Sequence, residues 1–334
     1  MYGGKTVGVV VPAWNESRLI GRVIATMPDF VDHIIVIDDA STDGTAEAAL
    51  AEDARGVIDL IRQERNQGVG QALIDGHLRA KALGCDVIAV MAGDAQMAPE
   101  DLAAVITPVV EGRAEYVKGN RLLRAEVVER MPRYRLIGNA VLTFLSKFAH
   151  GYWHSMDPQC GYTAMSARVL DIIPFSTMVR GYGGNAEILH MMNMAGLRVA
   201  EVEVEPIYGD EVSYIKLRRY IPTVSRLLVR LFVRRIVSKY IVRNFHPLAL
   251  MYLFAAFLFL AVIPFLTVRL FVLYAQQGSV PPTTLVLLNA SAMFGFITAI
   301  FAMWMDMEDN RRLWTEAPPP WTVGDAGPSG PDVT

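Results

Sequence analysis

Apolar residues in the first 120 positions come in short, unbroken runs separated by polar segments of helical spacing. The runs are "TVGVVV" (6–11), "HIIVIDD" (33–39), "VIDLIR" (57–62), "DVIAVM" (86–91) and "EYVKGNR" (115–121), and each predicts a strand. Between them the pattern predicts a helix from Ser17, whose side chain suits an N-cap, and a second opened by "TDGTAEAALAED". A third covers 66–84 and is entered through Gly68 and Gly70, and a fourth lies in "APEDLAAVITPVVEG". Strands without polar alternation are buried on both faces, and their alternation with helices predicts an α/β fold with a parallel, doubly wound sheet. Sheets of this kind take ligands outside the carboxyl ends of their strands. The polar clusters "PAWNE", "DDAS" and "GDAQ" all fall there.

After residue 121 the pattern changes. Residues 122–150 predict a helical excursion, basic on one side and apolar on the other, and 157–206 return to mixed structure. Residues 214–243 place Arg and Lys among Leu, Val, Ile and Phe, as an interfacial helix on anionic lipid would. Residues 247–268 and 285–305 carry almost only apolar side chains and no acidic or basic ones, and each reaches the length of about 20 residues needed to span a bilayer. Arg226, Arg230, Arg234, Arg235, Lys239 and Arg243 precede the first segment, and Arg311 and Arg312 follow the second. The connection "AQQGSVPPTT" is uncharged, so the positive-inside rule puts both termini in the cytoplasm. The chain then divides into a cytosolic catalytic domain (1–212), basic interfacial helices (213–244), a two-helix transmembrane hairpin (245–308) and a cytosolic tail (309–334). The tail is Pro/Gly-rich from Pro318 and predicts disorder.

Composition refines this picture. A formal charge of −3 hides an acid-rich first part and a basic, then apolar, second part, because no acidic residue stands between Glu211 and Asp306. The two cysteines, Cys85 and Cys160, form no CxxC and predict reduced thiols facing cytosol. The start, "MYGGKTVGVVVPAWNE", reaches Glu16 without a long apolar stretch and predicts a strand, not a signal peptide.

Candidate chemistry gathers at the strand ends. Asp94 follows the fourth strand, with Gln96 two residues on. A hard divalent cation takes oxygen ligands, usually one or two carboxylates plus phosphate oxygens and water, and it neutralises a leaving diphosphate. "APEDL" supplies helix-start chemistry further along, which leaves Asp94 for such a ligand. Of the pair Asp38 and Asp39, one is expected in the cleft and the other on the backbone N–H groups of the turn "ASTDG"; Glu16 is similarly placed after the first strand. No GxGxxG follows the first strand, where "PAWNES" stands instead, so a dinucleotide-dependent dehydrogenase is excluded.

The succession "VVVPAWNE", "VIDDASTDGT", "NQGVGQA", "MAGDAQMAPEDL" and "KGNR" resembles the GT-A, Rossmann-like catalytic domain of family 2 glycosyltransferases. With "DPQCGYTAMSARVL", "GYGGNAEIL" and the two apolar segments, the chain is similar to the dolichol-phosphate-mannose-synthase-like, polyprenyl-phosphate branch, up to about residue 312. The resemblance implies a nucleoside pocket at Pro12, Trp14, Glu16 and Asp39, with the backbone of the loop at Gly68 beside it. It implies Mg²⁺ or Mn²⁺ at Asp94, the last Asp of a D-x-D-x-Q motif, with Gln96 next to it; Ala92 stands at the first Asp position. Two other positions depart from the family. Val69 stands where the glycine loop commonly carries Lys, and "EPIYGDEVSYIK" offers Tyr208 where an Arg is usual, so that Lys216, Arg218 or Arg219 takes over. Arg121, Arg133 and Arg135 are the candidates for an acceptor phosphate, whose geometry Arg matches bidentately. Asp157 and Gln159 are expected at the acceptor or sugar end, and Glu187 on sugar hydroxyls or on its own loop.

The implied partners are a nucleoside-diphosphate sugar, a polyprenyl phosphate and the membrane, with no nucleic acid; the spans allow self-association. A lipid monophosphate is already anionic, so inversion at the anomeric carbon needs alignment and leaving-group stabilisation rather than a strong base. Two other readings stand beside this one. A hydroxyl acceptor would require Glu187 or Asp157 as base. A non-catalytic nucleotide-sugar-binding scaffold would explain Ala92, but the presence of Asp39, Asp94 and Gln96 weighs against it.

Overall fold

The computed structural model describes residues 1–122, 133–179, 181, 183–207 and 217–316, with the side chains of 133–136, 217–219 and 316 outside that set. Valine and isoleucine runs form the sheet: β1 (Val7–Ala13), β2 (His33–Asp38), β3 (Ile58–Arg62), β4 (Val87–Val90), β5 (Tyr116–Asn120), β6 (Thr163–Ser166), β7 (Val199–Glu203) and β8 (Trp314–Glu316). Their order is β3-β2-β1-β4-β6-β5-β7-β8. β6 runs antiparallel to both neighbours, and the other pairs are parallel. The mostly parallel, doubly wound sheet expected from the apolar runs is therefore present. Val9, Val10 and Val11 are all fully buried because helices cover both faces. One face packs on α1 (Ile20–Ala25), α2 (Thr45–Ala51) and α4 (Leu102–Val110). The other packs on α3 (Val69–Ala82), the short α6 (Val169–Ile172) and α7 (Gly184–Met194). Chain order reverses at β1, which pairs with β2 on one side and β4 on the other. A crevice opens at that switch point.

Three boundaries differ from the sequence expectation. α1 starts at Ile20 with Leu19 before it; Ser17 does not cap it, and its N–H instead reaches Asp43 Oδ2 at 3.1 Å. The tail does not begin at 309. Residues 314–316 form β8 and extend the sheet against Val199–Glu201, while 317–334 lie outside the described residues.

The third difference concerns the basic segment, which forms α8 (Leu217–Arg235) and a π-helix over Ile236–Arg243. α8 packs on α5 (Arg133–His150) through a small core containing Ala149, Val224, Leu228 and Leu231. Arg235 and Lys239 turn inward to acidic partners rather than outward to lipid.

The apolar segments are two helices long and apolar enough to cross a membrane, Pro247–Gln277 and Pro282–Leu313. The first comprises α9 (Pro247–Phe257), a π-helical stretch (Leu258–Val262) and α10 (Ile263–Gln277). The wide stretch stands directly before Pro264, whose missing N–H and bulky ring disturb the preceding turn. The second contains α11 (Pro282–Asn310). Gly295 lets the helices approach, since a Cβ there would sit 3.3 Å from the Phe259 ring. Phe257, Leu260, Phe265, Phe271 and Phe296 all point away from the protein. Both ends of the hairpin lie on the side of the catalytic domain, because α11 ends against Arg235 at the foot of α8.

Candidate active site

The ends of β1 and β2 carry loops that brace one another. Asn15, at φ +57°, accepts from Thr42 N–H at 2.9 Å through its side chain, and its own N–H donates to Ser41 Oγ at 2.9 Å. Glu16 N–H donates to Thr45 Oγ1 at 2.9 Å. Pro12 is half-buried, and its carbonyl accepts from Gly93 N–H at 3.1 Å, which joins the ends of β1 and β4. Trp14 is half exposed at the mouth. Asp38 serves the turn, as one member of the pair was expected to. It accepts from Ser41 N–H at 2.9 Å and pairs with Arg62 at 3.0 Å. Asp39 has a duty that the sequence did not reveal: its two oxygens accept from Gln67 and Gly68 N–H at 2.7 and 2.8 Å. It thereby anchors the glycine loop that opens α3. Gly68 needs its φ of +87° for this approach.

Asp94 lies where the fourth strand ends, at the switch-point crevice. The segment after it is not extended, as an alternation of side chains would require. Ala95 takes φ +56°, and the resulting turn lets Gln96 N–H donate to Asp94 Oδ1 at 3.1 Å. Burial raises the Asp94 pKa, against which the Gln96 amide pulls. Ala92, at the first position of the metal motif, gives only its N–H, to Met97 Sδ at 3.4 Å. Among the described residues no three His, Cys, Asp or Glu side chains cluster for a metal. One desolvated carboxylate still suits a Mg²⁺-like ion that draws its remaining ligands from phosphate and water.

Around Arg121 the chain gathers charge that is buried or paired with a buried partner. Arg121 forks onto Asp157 at 2.8 and 3.1 Å. Burial alone would raise the Asp157 pKa, but the Arg121 hydrogen bonds and charge carry it below the ordinary carboxylate value. Lys118 is fully buried and donates to the Cys160 carbonyl at 2.7 Å; burial lowers its pKa, opposed by Cys160, Asp157 and Glu201. Glu201 accepts from Asn120 at 2.8 Å and from Met156 N–H at 3.0 Å, and burial raises its pKa. Neither Lys118 nor Glu201 stood out in the sequence. Their signal was a charge inside an apolar strand run. Gln96 and Arg121 line one shallow, open hollow, with Tyr162, Val204 and Glu205.

Other candidates hold contacts of their own or lie outside the described residues. Gln159 accepts from Tyr220 at 3.3 Å. Glu187 accepts from Val179 N–H at 2.6 Å, which gives it the loop-holding role. Arg133 and Arg135 belong to α5, but their side chains lie outside the described residues, as do Tyr208, Lys216 and the side chains of Arg218 and Arg219.

Comparison with known proteins adds an independent line. The family described as "Glycosyl transferase family 2" matches residues 8–173. The chain is 30% identical over 220 residues to the UDP-N-acetylglucosamine–dolichyl-phosphate N-acetylglucosaminyltransferase of Methanococcus voltae, covering 62% of this chain and 87% of the relative. It is 29% identical to the polyprenol monophosphomannose synthase of Mycolicibacterium smegmatis, over 59% of this chain and 75% of that one. Among solved structures, mannosyl-3-phosphoglycerate synthase from Rubrobacter xylanophilus shares the fold, with TM-score 0.55, 20% identity and coverage of 72% and 77%.

Proposed function

The chain belongs to glycosyl transferase family 2, and on that premise we propose that it is a membrane-anchored, inverting enzyme. It transfers one sugar from a nucleoside-diphosphate sugar to polyprenyl phosphate on the cytoplasmic face. The observation that carries this reading is one open hollow lined by both Gln96, two residues from Asp94, and Arg121, whose guanidinium Asp157 holds. The relatives' names, a dolichyl-phosphate and a polyprenol-monophosphate transferase, support the acceptor class.

Trp14 offers an exposed ring at the mouth on which a nucleobase stacks. The diphosphate lies between the Asp39-anchored glycine loop and Asp94. Mg²⁺ or Mn²⁺ held by Asp94 and the Gln96 carbonyl would neutralise charge on the leaving diphosphate. Asp157 holds the Arg121 guanidinium in the wall, where it orients the incoming phosphate monoester for in-line attack on the anomeric carbon. No carboxylate need remove a proton, because the nucleophilic oxygen is already anionic. Glu187 is engaged on Val179 N–H and Asp157 on Arg121, which argues against the hydroxyl-acceptor alternative.

The test places the full chain in vesicles with a panel of nucleotide sugars and polyprenyl phosphate. The expected product is a lipid phosphate carrying one sugar, lost with EDTA and restored by Mg²⁺ or Mn²⁺. Transfer to a saccharide hydroxyl but not to lipid phosphate would overturn the acceptor class. Nucleotide-sugar binding without any transfer would favour the scaffold reading.

A further inference from the structure

The second apolar helix ends inside the catalytic domain. Asp306 meets Arg235 in a fork of 2.6 Å at each contact, and both side chains are 0% exposed. Arg235 also donates to the Phe148 carbonyl at 2.8 Å, in the last turn of α5. Tyr240 Oη donates to Asp306 at 2.8 Å, and Asn310 joins at 2.9 Å. Gly151, at φ +79°, leaves room for the arginine: a Cβ there would stand 2.8 Å from the guanidinium. A buried pair with this many donors fixes register, and loss of one partner leaves a charge uncompensated.

One more donor leads out of the joint. Trp153 Nε1–H reaches Asp306 at 3.2 Å. Trp153 opens the run 153–157, each residue of which has a side-chain contact, while Met156 is held through its N–H as well. The His154 ring stacks on Trp314 of β8, with centroids 5.9 Å apart. Ser155 and the Met156 N–H donate to Glu201, and Asp157 holds Arg121. The anchors at the start of this run are Asp306, near the end of the second apolar helix, and Trp314 just beyond it, and the last one is Arg121.

We infer that Asp306 is a positioning residue for transfer, acting through Trp153 and the 153–157 run on Arg121. Granted the acceptor-phosphate role of Arg121 proposed above, the acceptor side is complete only when the end of the second apolar helix is docked. The donor side is braced by its own loops and stands apart from this route.

The test compares full-length wild type with Asp306→Asn and Trp153→Phe in lipid nanodiscs. The first keeps the shape and removes the charge; the second keeps a ring and removes the N–H. Amide hydrogen exchange is followed at Met156 and in β1–β4, alongside nucleotide affinity by calorimetry and the KM for a short, water-soluble polyprenyl phosphate. In Asp306→Asn, Met156 should exchange at least about tenfold faster with β1–β4 unchanged, and the short-acceptor KM should rise about tenfold at constant nucleotide affinity, the scale of one charge-assisted hydrogen bond. Trp153→Phe should shift both in the same direction by less. Unchanged exchange at 153–157 overturns the inference. So does a parallel loss of nucleotide affinity, or a KM rise confined to long-chain acceptors. Wild-type protein inert toward every polyprenyl phosphate would instead sink the acceptor reading. Exchange needs no acceptor and would still decide whether Asp306 holds the run.

Discussion

The two walls of the crevice are held together by different physics. On the donor wall, short polar side chains take backbone N–H groups from adjacent loops, as Asn15 does from Thr42 and Asp39 from Gln67 and Gly68. On the wall proposed for the acceptor, buried charges are paired or hydrogen-bonded, as Lys118, Glu201 and Asp157 with the partly exposed Arg121 are, and the buried Arg235–Asp306 pair lies behind it. A loop braced by amide hydrogen bonds can readjust around a ligand by small backbone shifts. A buried ion pair has one good arrangement and is costly to break from one side. On the proposed reading, the donor wall is built to receive a ligand, and the acceptor wall to hold one geometry that reaches back to the two apolar helices.

Substitutions and a deletion test this contrast. The largest effect should come at the donor rim, where Asp94→Asn removes charge without changing shape. It should lower kcat by about 10²–10³, the scale for losing one group that stabilises developing charge, with the fold intact by circular dichroism. Near-normal turnover in Mg²⁺ or Mn²⁺ would remove Asp94 from the metal site.

Next comes deletion of residues 244–334, which takes Asp306 from Arg235 and β8 from the sheet edge. Urea unfolding should show a loss of about 3–5 kcal/mol, the cost of orphaning one partner of a buried pair. Nucleotide binding should persist, because the donor loops are all earlier in the chain. Loss of both together would erase the contrast.

Two glycines separate the walls from behind. A Cβ at Gly76 would meet Val10 Cγ1 at 2.3 Å, and one at Gly119 would meet Val204 Cγ2 at 2.7 Å. Each change to alanine should destabilise by about 1–3 kcal/mol through overpacking. Gly76→Ala should raise chiefly the nucleotide KM and Gly119→Ala the lipid KM in steady-state assays.

Asp39→Ala frees the Gln67 and Gly68 amides and should raise the donor KM by about tenfold while kcat moves less, because the loop contacts act in ground and transition state alike. Unaltered nucleotide affinity by calorimetry would separate the loop from the donor.

The smallest effect is a pH dependence at Asp157. Its folded pKa is depressed, so its contribution is complete above the unfolded value of about 3.9 and is lost as pH falls through the folded value. Asp157→Asn should flatten the decline of the urea midpoint below about pH 4, where the unfolded carboxylate begins to take protons. An unchanged slope would take the Arg121 pair out of acid unfolding.

Much of this protein was legible without its structure. The unbroken apolar runs specified a sheet covered on both faces, and the polar clusters after β1, β2 and β4 specified what stands at the carboxyl ends of its strands. Two long apolar segments and their basic flanks specified the hairpin. Each of these is a local property, written in consecutive residues with a fixed period, and chain connectivity alone carries it into space.

What the sequence could not decide was which charges meet. Arg121 finds Asp157 36 positions away, Asn120 finds Glu201 across 81, and Arg235 finds Asp306 across 71. In the sequence Arg235 was one more basic residue on an amphipathic helix, and Asp306 one of several charges at the end of a span. The same applies to β8: three residues beyond an apolar helix carry too little pattern to announce a strand, and they become one only because β7 presents an open edge. Propensity and periodicity act over a few residues, whereas the pairing of a buried charge is settled by the desolvation it must offset, and that exists only once the chain has packed around it.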